Sequence, residues 1–196
     1  MKKGIVYTLV FMIVLSAVFT FALAFAYEAF KPNIAGHAEL REQRAVLYTF
    51  GIEEGLTDEQ AREKFQQVIK PGTFLGEDGY TYEEGGEVKG YAMPFTGAGL
   101  WGTIRGYLGV NADKSQTTGL VFTEQNETPG LGGRIDETWY REQFRGVPIT
   151  PGQPLQYGQQ ADYKVDAITG ATQTSSAVLR IVNTVIQNDL NTAEGK

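Results

Sequence analysis

The sequence has no cysteine and only one histidine, His37, among its 196 residues. Without thiols the chain can form no internal disulfide, thiolate-bound zinc site or all-cysteine iron–sulfur cluster, and it has no cysteine nucleophile. One histidine, which lies just after an apolar N-terminal stretch, cannot by itself supply a multi-histidine metal site. We therefore predict no catalytic residue and no metal ligand in this chain.

Basic charge is also scarce. The chain has 17 Lys and Arg residues against 23 Asp and Glu residues, a net charge of -6, and its longest basic cluster is Lys2-Lys3. Proteins that bind nucleic acid need a basic surface that neutralises phosphates. The composition therefore excludes nucleic acid as a partner, and the length suits one medium-sized domain with an appended segment.

An apolar run without a charged residue extends from Ile5 to Ala26. At a rise of about 1.5 Å per residue, a helix of about 22 residues is about 33 Å long and spans a bilayer. Lys2 and Lys3 precede the run, so the positive-inside rule places the N-terminus in the cytoplasm and everything after Tyr27 outside. We expect a single-pass protein of the cell (inner) membrane, in contact with lipid, whose main domain is extracytoplasmic or periplasmic.

The alternative is a cleaved signal peptide. Ala22-Leu23-Ala24 and Ala24-Phe25-Ala26 both have the small-x-small pattern that signal peptidases accept. The apolar run is, however, longer than the usual signal-peptide core of about 7–15 residues. The sequence therefore favours an uncleaved anchor.

Beyond the anchor, the pattern predicts two helices. The first covers Ala35–Phe50, and the second begins at Thr57, where Thr57 and Gln60 form a capping box. The second helix carries apolar residues on one face and is predicted to end at Pro71-Gly72.

Short β-prone runs bounded by glycine follow, and they are typical of consecutive antiparallel strands. A short helix containing Trp139 and Phe144, capped by Asp136, and a strand at Asp162–Val165 come next, and the clearest helix runs from Ser175 to Leu190. Because helices and strands do not alternate as in βαβ units, the order favours an α+β fold, a mainly antiparallel sheet packed with helices. The four predicted strands are Tyr80–Glu83, Glu87–Met93, Thr103–Val110 and Gly119–Glu124.

A turn of small residues immediately precedes the last helix, within the stretch Asp166–Thr172. A helix N-terminus offers free amides and a positive dipole end, and Gly170 and Ala171 let an anion approach the backbone. This turn is therefore a candidate phosphate site. The alternative is that Thr172, Thr174 or Ser175 simply caps the helix.

A second candidate segment, Thr123–Gly133, is a loop too long for a minimal hairpin turn. Its glycines beside Thr128 and Leu131 could place backbone amides and one apolar side chain against a flat heterocycle. It is neither a dinucleotide fingerprint nor a P-loop, since it lacks their glycine spacing and the Lys-Ser/Thr pair. The alternative is an ordinary Pro-Gly turn with additional glycines.

Together the two segments resemble the FMN-binding domain shared by RnfG, the G subunit of Rnf complexes, and NqrC, its counterpart in the sodium-pumping NADH:quinone oxidoreductase Nqr. Residues Asp166–Thr172 match that family's flavinylation pattern, D-x-x-S/T-G-A-T, and Glu127–Gly132 match its E-T-P-G-L-G loop. The single N-terminal span followed by an outer domain also agrees, so the resemblance covers essentially the whole chain. It implies a cytoplasmic N-terminus and transmembrane anchor at 1–27, a helical juxtamembrane region at 28–75 and an FMN-binding domain at 76–196.

The resemblance implies that FMN is bound covalently, through a phosphoester, to the hydroxyl of Thr172. A separate flavin transferase is expected to make this bond, taking FMN from FAD with a divalent metal, since no histidine lies nearby to activate the hydroxyl. Asp166 either positions the turn or the transferase's metal, or has a structural role as a cap for the loop amides. Trp101 is a candidate ring contact, with a buried core position as the alternative. The expected cofactor contacts are Thr172, Asp166, Thr169, Gly170, Ala171, Glu127, Thr128, Gly130, Leu131, Gly132 and Trp101.

The resemblance further implies an electron-transfer subunit of an ion-translocating redox complex whose other subunits are its partners. The short length favours the Rnf type, a ferredoxin:NAD oxidoreductase, whereas the stretch Gly99–Gly102 looks more like NqrC. Two other classes stay open. One is a freestanding, membrane-tethered flavin reductase, and the other is an assembly or adhesion module without flavin, in which Thr172 is only a helix cap.

Overall fold

The computed structural model describes residues 4–74 and 76–194. The chain divides into two units, Met1–Glu39 and Leu40–Lys196, and helix α1, Ile5–Thr49, has residues in both. Lys2 and Lys3, on which the expected orientation in the membrane depends, lie outside the described residues. The expected divisions after residues 27 and 75 stay predictions.

The first unit contains the apolar part of α1. Its segment Ile5–Lys31 has a mean hydropathy of 2.6, and none of its most apolar window is buried within the chain. By length and composition it can cross a membrane, a test that signal sequences also meet. The helix expected separately at Ala35–Phe50 is the direct continuation of this segment, up to Thr49.

In the second unit, helix α2, Asp58–Val68, begins as predicted. The amide of Gln60 donates to Thr57 Oγ1 at 3.3 Å, and the amide of Thr57 donates to Gln60 Oε1 at 2.9 Å. This reciprocal pair satisfies two backbone N–H groups that a helix N-terminus otherwise leaves open. The capping box read from the sequence is therefore present.

The predicted end of α2 is wrong. The helix stops at Val68, and Pro71 and Gly72 lie inside strand β1, Ile69–Phe74. Strand β1 is at the edge of the sheet, where a proline that lacks an N–H group can be accommodated.

Five strands form one antiparallel sheet in the sequential order β1-β2-β3-β4-β5. Each strand pairs with the next through a short connection, as in a meander. The predicted α+β class with an antiparallel sheet is therefore confirmed, and the four predicted strands are all present. The strands are β1, Ile69–Phe74, β2, Glu77–Glu84, β3, Glu87–Ala98, β4, Thr103–Asn111, and β5, Thr117–Glu124.

Short elements connect β5 to the last helix and differ in detail from expectation. The N-cap position of helix α3 is Glu137, which makes no side-chain cap hydrogen bond, and not Asp136, whose carboxylate accepts from Gln125. Helix α3 also ends before Phe144. The strand expected at Asp162–Val165 is shorter and covers Lys164–Val165. In order, these elements are a 3₁₀ helix at Gly132–Asp136, α3 at Thr138–Glu142, β6 at Gly158–Gln159, β7 at Lys164–Val165 and α4 at Thr172–Glu194.

Two buried apolar clusters lie on the two faces of the sheet. Successive strand residues point to opposite faces, so Tyr107 and Leu108 of β4 belong to different clusters. One face packs against α3 and α4, and the other packs against α2 and the end of α1. The buried side of α4 consists of Ala177, Val178, Ile181, Val182, Val185 and Ile186, at the helical spacing expected from the sequence.

A polar clamp ties the end of α1 to the sheet. The hydroxyls of Tyr80 and Tyr107 both donate to Glu42 Oε1, at 3.1 and 2.6 Å. Burial, and then the adjacent Glu42 carboxylate, raises the pKa of Tyr80 to about 12 and raises that of Tyr107 further. Both phenols therefore stay protonated and act as donors across the neutral pH range.

We expect Tyr107→Phe to lower the free energy of unfolding by about 1–2 kcal/mol, because it removes a hydrogen bond to a charged acceptor within a packed cluster. Urea titration of the full chain in detergent measures this. In the matched control, Tyr82→Phe, the lost hydroxyl donates to the exposed carboxylate of Glu84, and the change should stay within about 0.5 kcal/mol. Equal losses in the two variants would contradict the clamp.

Candidate functional site

Three loops meet at one end of the sheet. Strand β3 ends at Ala98 opposite Thr103, where β4 begins, and β5 ends at Glu124 opposite Arg105 of β4. The β3–β4 connection and the loop after β5 therefore leave the sheet at the same end. The N-terminus of α4 joins them there, as the contacts of Glu127 show.

The buried carboxylate of Glu127 connects the three segments. Its Oε1 accepts from the backbone amides of Leu100 and Trp101, at 2.9 and 3.0 Å. Its Oε2 accepts from the Thr174 hydroxyl at 2.5 Å. Only 4% of Glu127 is exposed, and all three contacts donate to its carboxyl oxygens. The predicted site residues Glu127 and Trp101 are thus brought to the helix start that bears Thr172.

The hydroxyls at the start of α4 have different environments. Thr174 is buried and donates to Glu127, while Ser175 is buried and its Oγ accepts from the amide of Ile168 at 3.0 Å. Thr172 is exposed, and within residues 4–74 and 76–194 no side-chain hydrogen bond engages its hydroxyl. The alternative in which Thr172 acts as the helix cap is therefore wrong.

The turn before α4 has the backbone shape that its small residues predict. Gly170 has a φ of +81°, in the left-handed region where a side chain is strained. The amide of Ala171 donates to the carbonyl of Ile168 at 3.0 Å, which closes the turn. A Cβ atom placed on Gly170 would lie 3.5 Å from Leu131 Cδ2, so the loop after β5 covers this turn directly.

Two glycines leave room for the Glu127 carboxylate. A Cβ atom on Gly99 would lie 2.5 Å from Glu127 Oε1, and one on Gly132 would lie 3.0 Å from Oε2 and 2.6 Å from Thr174 Oγ1. Distances below 3.0 Å are not tolerated without movement of the neighbouring atoms. Gly132 therefore serves the packing around the carboxylate, in addition to any contact with a ligand.

The side chain of Trp101 points away from this buried centre. It is 70% exposed, so the alternative of a core tryptophan is wrong. Leu100 and Leu131 are 47% and 46% exposed. Exposed side chains of this size near a polar, amide-rich turn form an apolar rim that suits a flat ring.

The predicted contacts Thr128 and Gly130 shape the loop through their backbones. The carbonyl of Thr128 accepts from the amides of Leu131 and Gly133 at 3.1 and 2.9 Å. Gly130 has a φ of +74°. Both residues are exposed, so their surfaces are open to solvent beside the turn.

An open cleft of about 630 Å³ adjoins the turn. It contains the predicted residues Asp166 and Thr169, and it also contains Arg134 and Trp139, which sequence reasoning did not assign to the site. The Asp166 carboxylate lies 2.7 Å from Lys164 Nζ. The only signal for Trp139 was its apolar character, which is equally typical of a core residue.

Charged groups along this cleft form local pairs. The Arg134 guanidinium lies 5.4 Å from the centre of the Trp139 ring and also pairs with Glu137 at 3.1 Å. Hydrogen bonds from the Arg134 guanidinium, and to a smaller extent the one from the Trp139 indole, lower the pKa of the Glu137 carboxyl group. The cleft therefore presents one aromatic face and one guanidinium beside the turn.

The arrangement fits a phosphate better than a metal. No cluster of three or more Asp, Glu, His or Cys side chains occurs within the described parts of the chain. The first backbone N–H groups of α4 lack intrahelical acceptors, as at every helix N-terminus, and Gly170 lets an anion approach them. The free Thr172 hydroxyl lies at the same place. A phosphate esterified to Thr172 would thus meet amide donors and the positive end of the helix.

Comparison with known families gives one match. Residues 99–187 match the family described as the FMN-binding domain. This span includes the β3–β4 loop, the loop after β5, the turn and most of α4. The matched region therefore contains all three segments that Glu127 connects.

Named relatives are the C subunits of Na(+)-translocating NADH-quinone reductases. The one from Pasteurella multocida is 34% identical over 102 residues, which are 48% of this chain and 39% of that protein. The one from Vibrio anguillarum is 32% identical over 131 residues, 63% of this chain and 49% of that protein. The chain thus spans less than half the length of these relatives.

Solved structures show the same fold. NqrC of Shewanella oneidensis has a TM-score of 0.66 at 20% identity and covers 79% of this chain and 96% of that one. The corresponding Na(+)-translocating NADH-quinone reductase protein of Parabacteroides distasonis has a TM-score of 0.66 at 24% identity, with coverages of 80% and 92%.

Proposed function

We propose that this chain is a member of the FMN-binding family, whose domain matches residues 99–187, and an electron-transfer flavoprotein that carries FMN as a phosphoester on Thr172. The observation that supports the attachment point is the state of the three hydroxyls at the start of α4. Thr174 and Ser175 are buried and hydrogen bonded, whereas Thr172 is exposed and free within the described residues. Of these three hydroxyls, that of Thr172 is the one that an external enzyme can reach.

The chain supplies the acceptor of the flavinyl group and not the means of its activation. A hydroxyl is a weak nucleophile until a base or a metal removes its proton, and the carboxylate of Asp166 pairs with Lys164. We infer that a separate transferase with a divalent metal activates Thr172. Its oxygen then bonds to the flavin-side phosphorus of FAD, the pyrophosphate linkage breaks, AMP leaves, and the hydroxyl proton is lost.

When bound, FMN supplies one- and two-electron redox chemistry, and the protein sets its orientation and surroundings. The amides at the start of α4 would hold the phosphate, and the exposed side chains of Trp101 and Leu131 would offer apolar surface to the ring. A covalent bond prevents loss of the cofactor from an extracytoplasmic domain. The arrangement suits an electron carrier whose ring stays accessible to partner cofactors.

We further propose that the chain is a component of a membrane redox complex of the Nqr type. The named relatives belong to Na(+)-translocating NADH-quinone reductases, which supports this alternative. The Rnf assignment expected from the length is not confirmed. The apolar segment Ile5–Lys31 serves in this proposal as an uncleaved membrane anchor, with the flavin domain on the extracytoplasmic side.

Flavinylation at Thr172 is tested by mass spectrometry of peptides from the full chain produced with a flavin transferase. We expect the Thr172 peptide to gain the mass of FMN less one water, and Thr172→Ala to lose both this adduct and the covalent flavin fluorescence completely. In the neighbouring control, Gln173→Ala, an exposed side chain is removed and the adduct should remain. Thr172→Ser should retain part of it, because the hydroxyl is kept.

An unmodified wild-type peptide, or an adduct that persists in Thr172→Ala, would disprove the attachment point. Attachment at Thr169, the other exposed threonine of the motif, would be seen as a shifted site in fragment spectra.

The partner proposal is tested by purifying the tagged chain from native membranes in mild detergent. We expect it to co-purify with an NADH-oxidising flavoprotein and with integral membrane subunits. A ferredoxin-like iron–sulfur protein in its place would establish the Rnf type. Recovery of the fluorescent chain alone would instead support a freestanding flavin reductase.

The orientation is tested by labelling single cysteines, which is straightforward because the chain has none of its own. We expect Glu54→Cys, at an exposed position of the second unit, to react with a membrane-impermeant maleimide in cells whose outer membrane is permeabilised and whose inner membrane is intact. Gly4→Cys should react only after lysis. The reverse pattern contradicts the orientation, and a mature chain that lacks Gly4 reveals signal-peptide cleavage.

A further inference from the structure

The geometry points to Glu127 as a positioning residue. Its side chain is long enough for the carboxylate to hold the loop that contains Trp101 at a fixed distance from the start of α4. The loop is the connection Gly99–Gly102 between β3 and β4. This inference rests on the proposed function, because the position of the loop matters for a flavin that is attached to Thr172. The quantity that it sets is the distance between the Trp101 indole and the isoalloxazine ring of the flavin.

The loop has few other hydrogen bonds that fix it. Within the loop, the amide of Gly99 donates to the carbonyl of Gly102 at 2.8 Å, which closes the turn. The next two amides along the chain, those of Leu100 and Trp101, both donate to Glu127 Oε1. These two bonds hold the backbone from which the Trp101 side chain projects. The indole itself is 70% exposed.

The second carboxyl oxygen connects the loop to the attachment site. Thr174, whose hydroxyl donates to Glu127 Oε2, is two residues after Thr172 in the first turn of α4. One carboxyl group therefore bridges the backbone of Trp101 and the helix turn that carries the flavin. A movement of either segment breaks at least one of these three bonds.

The surroundings of Glu127 permit little adjustment. A methyl group on Gly99 would collide with Glu127 Oε1 at 2.5 Å, and one on Gly132 would collide with the Thr174 hydroxyl oxygen at 2.6 Å. A buried carboxyl group that lost its donors would also be costly, because its oxygens have no access to water in their place. The lack of space around the carboxyl group and the cost of leaving its oxygens without donors both favour a single arrangement of the three segments.

Position and charge can be separated by two variants. Glu127→Asp keeps the charge but shortens the side chain by one methylene, so the carboxylate cannot reach all three donors. Glu127→Gln keeps the length and one acceptor oxygen, and its amide group can donate to the Thr174 hydroxyl oxygen. If the length of the side chain determines its role, Glu127→Asp should release the loop and Glu127→Gln should not.

The first experiment uses the full chain without flavin. Hydrogen–deuterium exchange is followed in peptides that contain Leu100 and Trp101, with Glu124→Gln as the control, since Glu124 is exposed and lies 3.4 Å from Arg105. We expect exchange of the loop to be at least about tenfold faster in Glu127→Asp, as the loss of hydrogen bonds to a charged acceptor predicts. Glu127→Gln should stay within about threefold of the wild type, and Glu124→Gln should be unchanged.

The second experiment uses the flavinylated chain. We expect Trp101→Phe to raise the flavin fluorescence, because it removes the indole that lies beside the ring, and Glu127→Asp to raise it by a similar factor. The double variant should show no further increase, because both changes remove the same contact. The adduct at Thr172, measured in the same samples, should persist in every variant.

The outcomes are distinct for the two proposals. An absent adduct in the wild type refutes the attachment proposal, while the exchange experiment still tests Glu127. Slow exchange in Glu127→Asp, or exchange that is faster in Glu127→Gln than in Glu127→Asp, overturns the positioning role. Additive fluorescence changes in the double variant overturn it as well.

Discussion

The buried carboxylate of Glu127 is the constraint on which the arrangement of the site depends. A carboxylate removed from water needs donors around it, and here they come from the β3–β4 loop and from the first turn of α4. The sheet brings these segments to one end, but it does not set their distance from one another. The carboxyl group sets that distance, and Gly99 and Gly132 provide the space for it.

The rest of the second unit keeps this end of the sheet rigid. Helix α4 packs its apolar side on one face, and the other face is covered by α2 and the end of α1, where Glu42 joins Tyr80 and Tyr107. Both faces are therefore covered, and polar chemistry is confined to the loops at the end. Loops on a rigid scaffold are the usual location of binding residues, because they can vary without loss of the core.

The sequence predicted the elements whose signals are local. The capping box of Thr57 and Gln60 and the glycine-bounded strands follow from short-range patterns, and the motif at Asp166–Thr172 was found in the same way. The errors concern tertiary context. Pro71 looks like a helix end because no local signal marks an edge strand, and Trp101 looks like a core candidate because tryptophan side chains are usually well buried. For the same reason, the partners of Glu127 and the position of Trp139 could not be foreseen.

Three hydroxyls within four residues, Thr172, Thr174 and Ser175, look equivalent in the sequence. The fold distinguishes them, because helical geometry turns Thr174 and Ser175 inward, where Glu127 and the amide of Ile168 satisfy them. Thr172, at the first helical position, points to solvent. For the proposed flavinylation, burial at the start of α4 therefore leaves Thr172 as the accessible hydroxyl among these three.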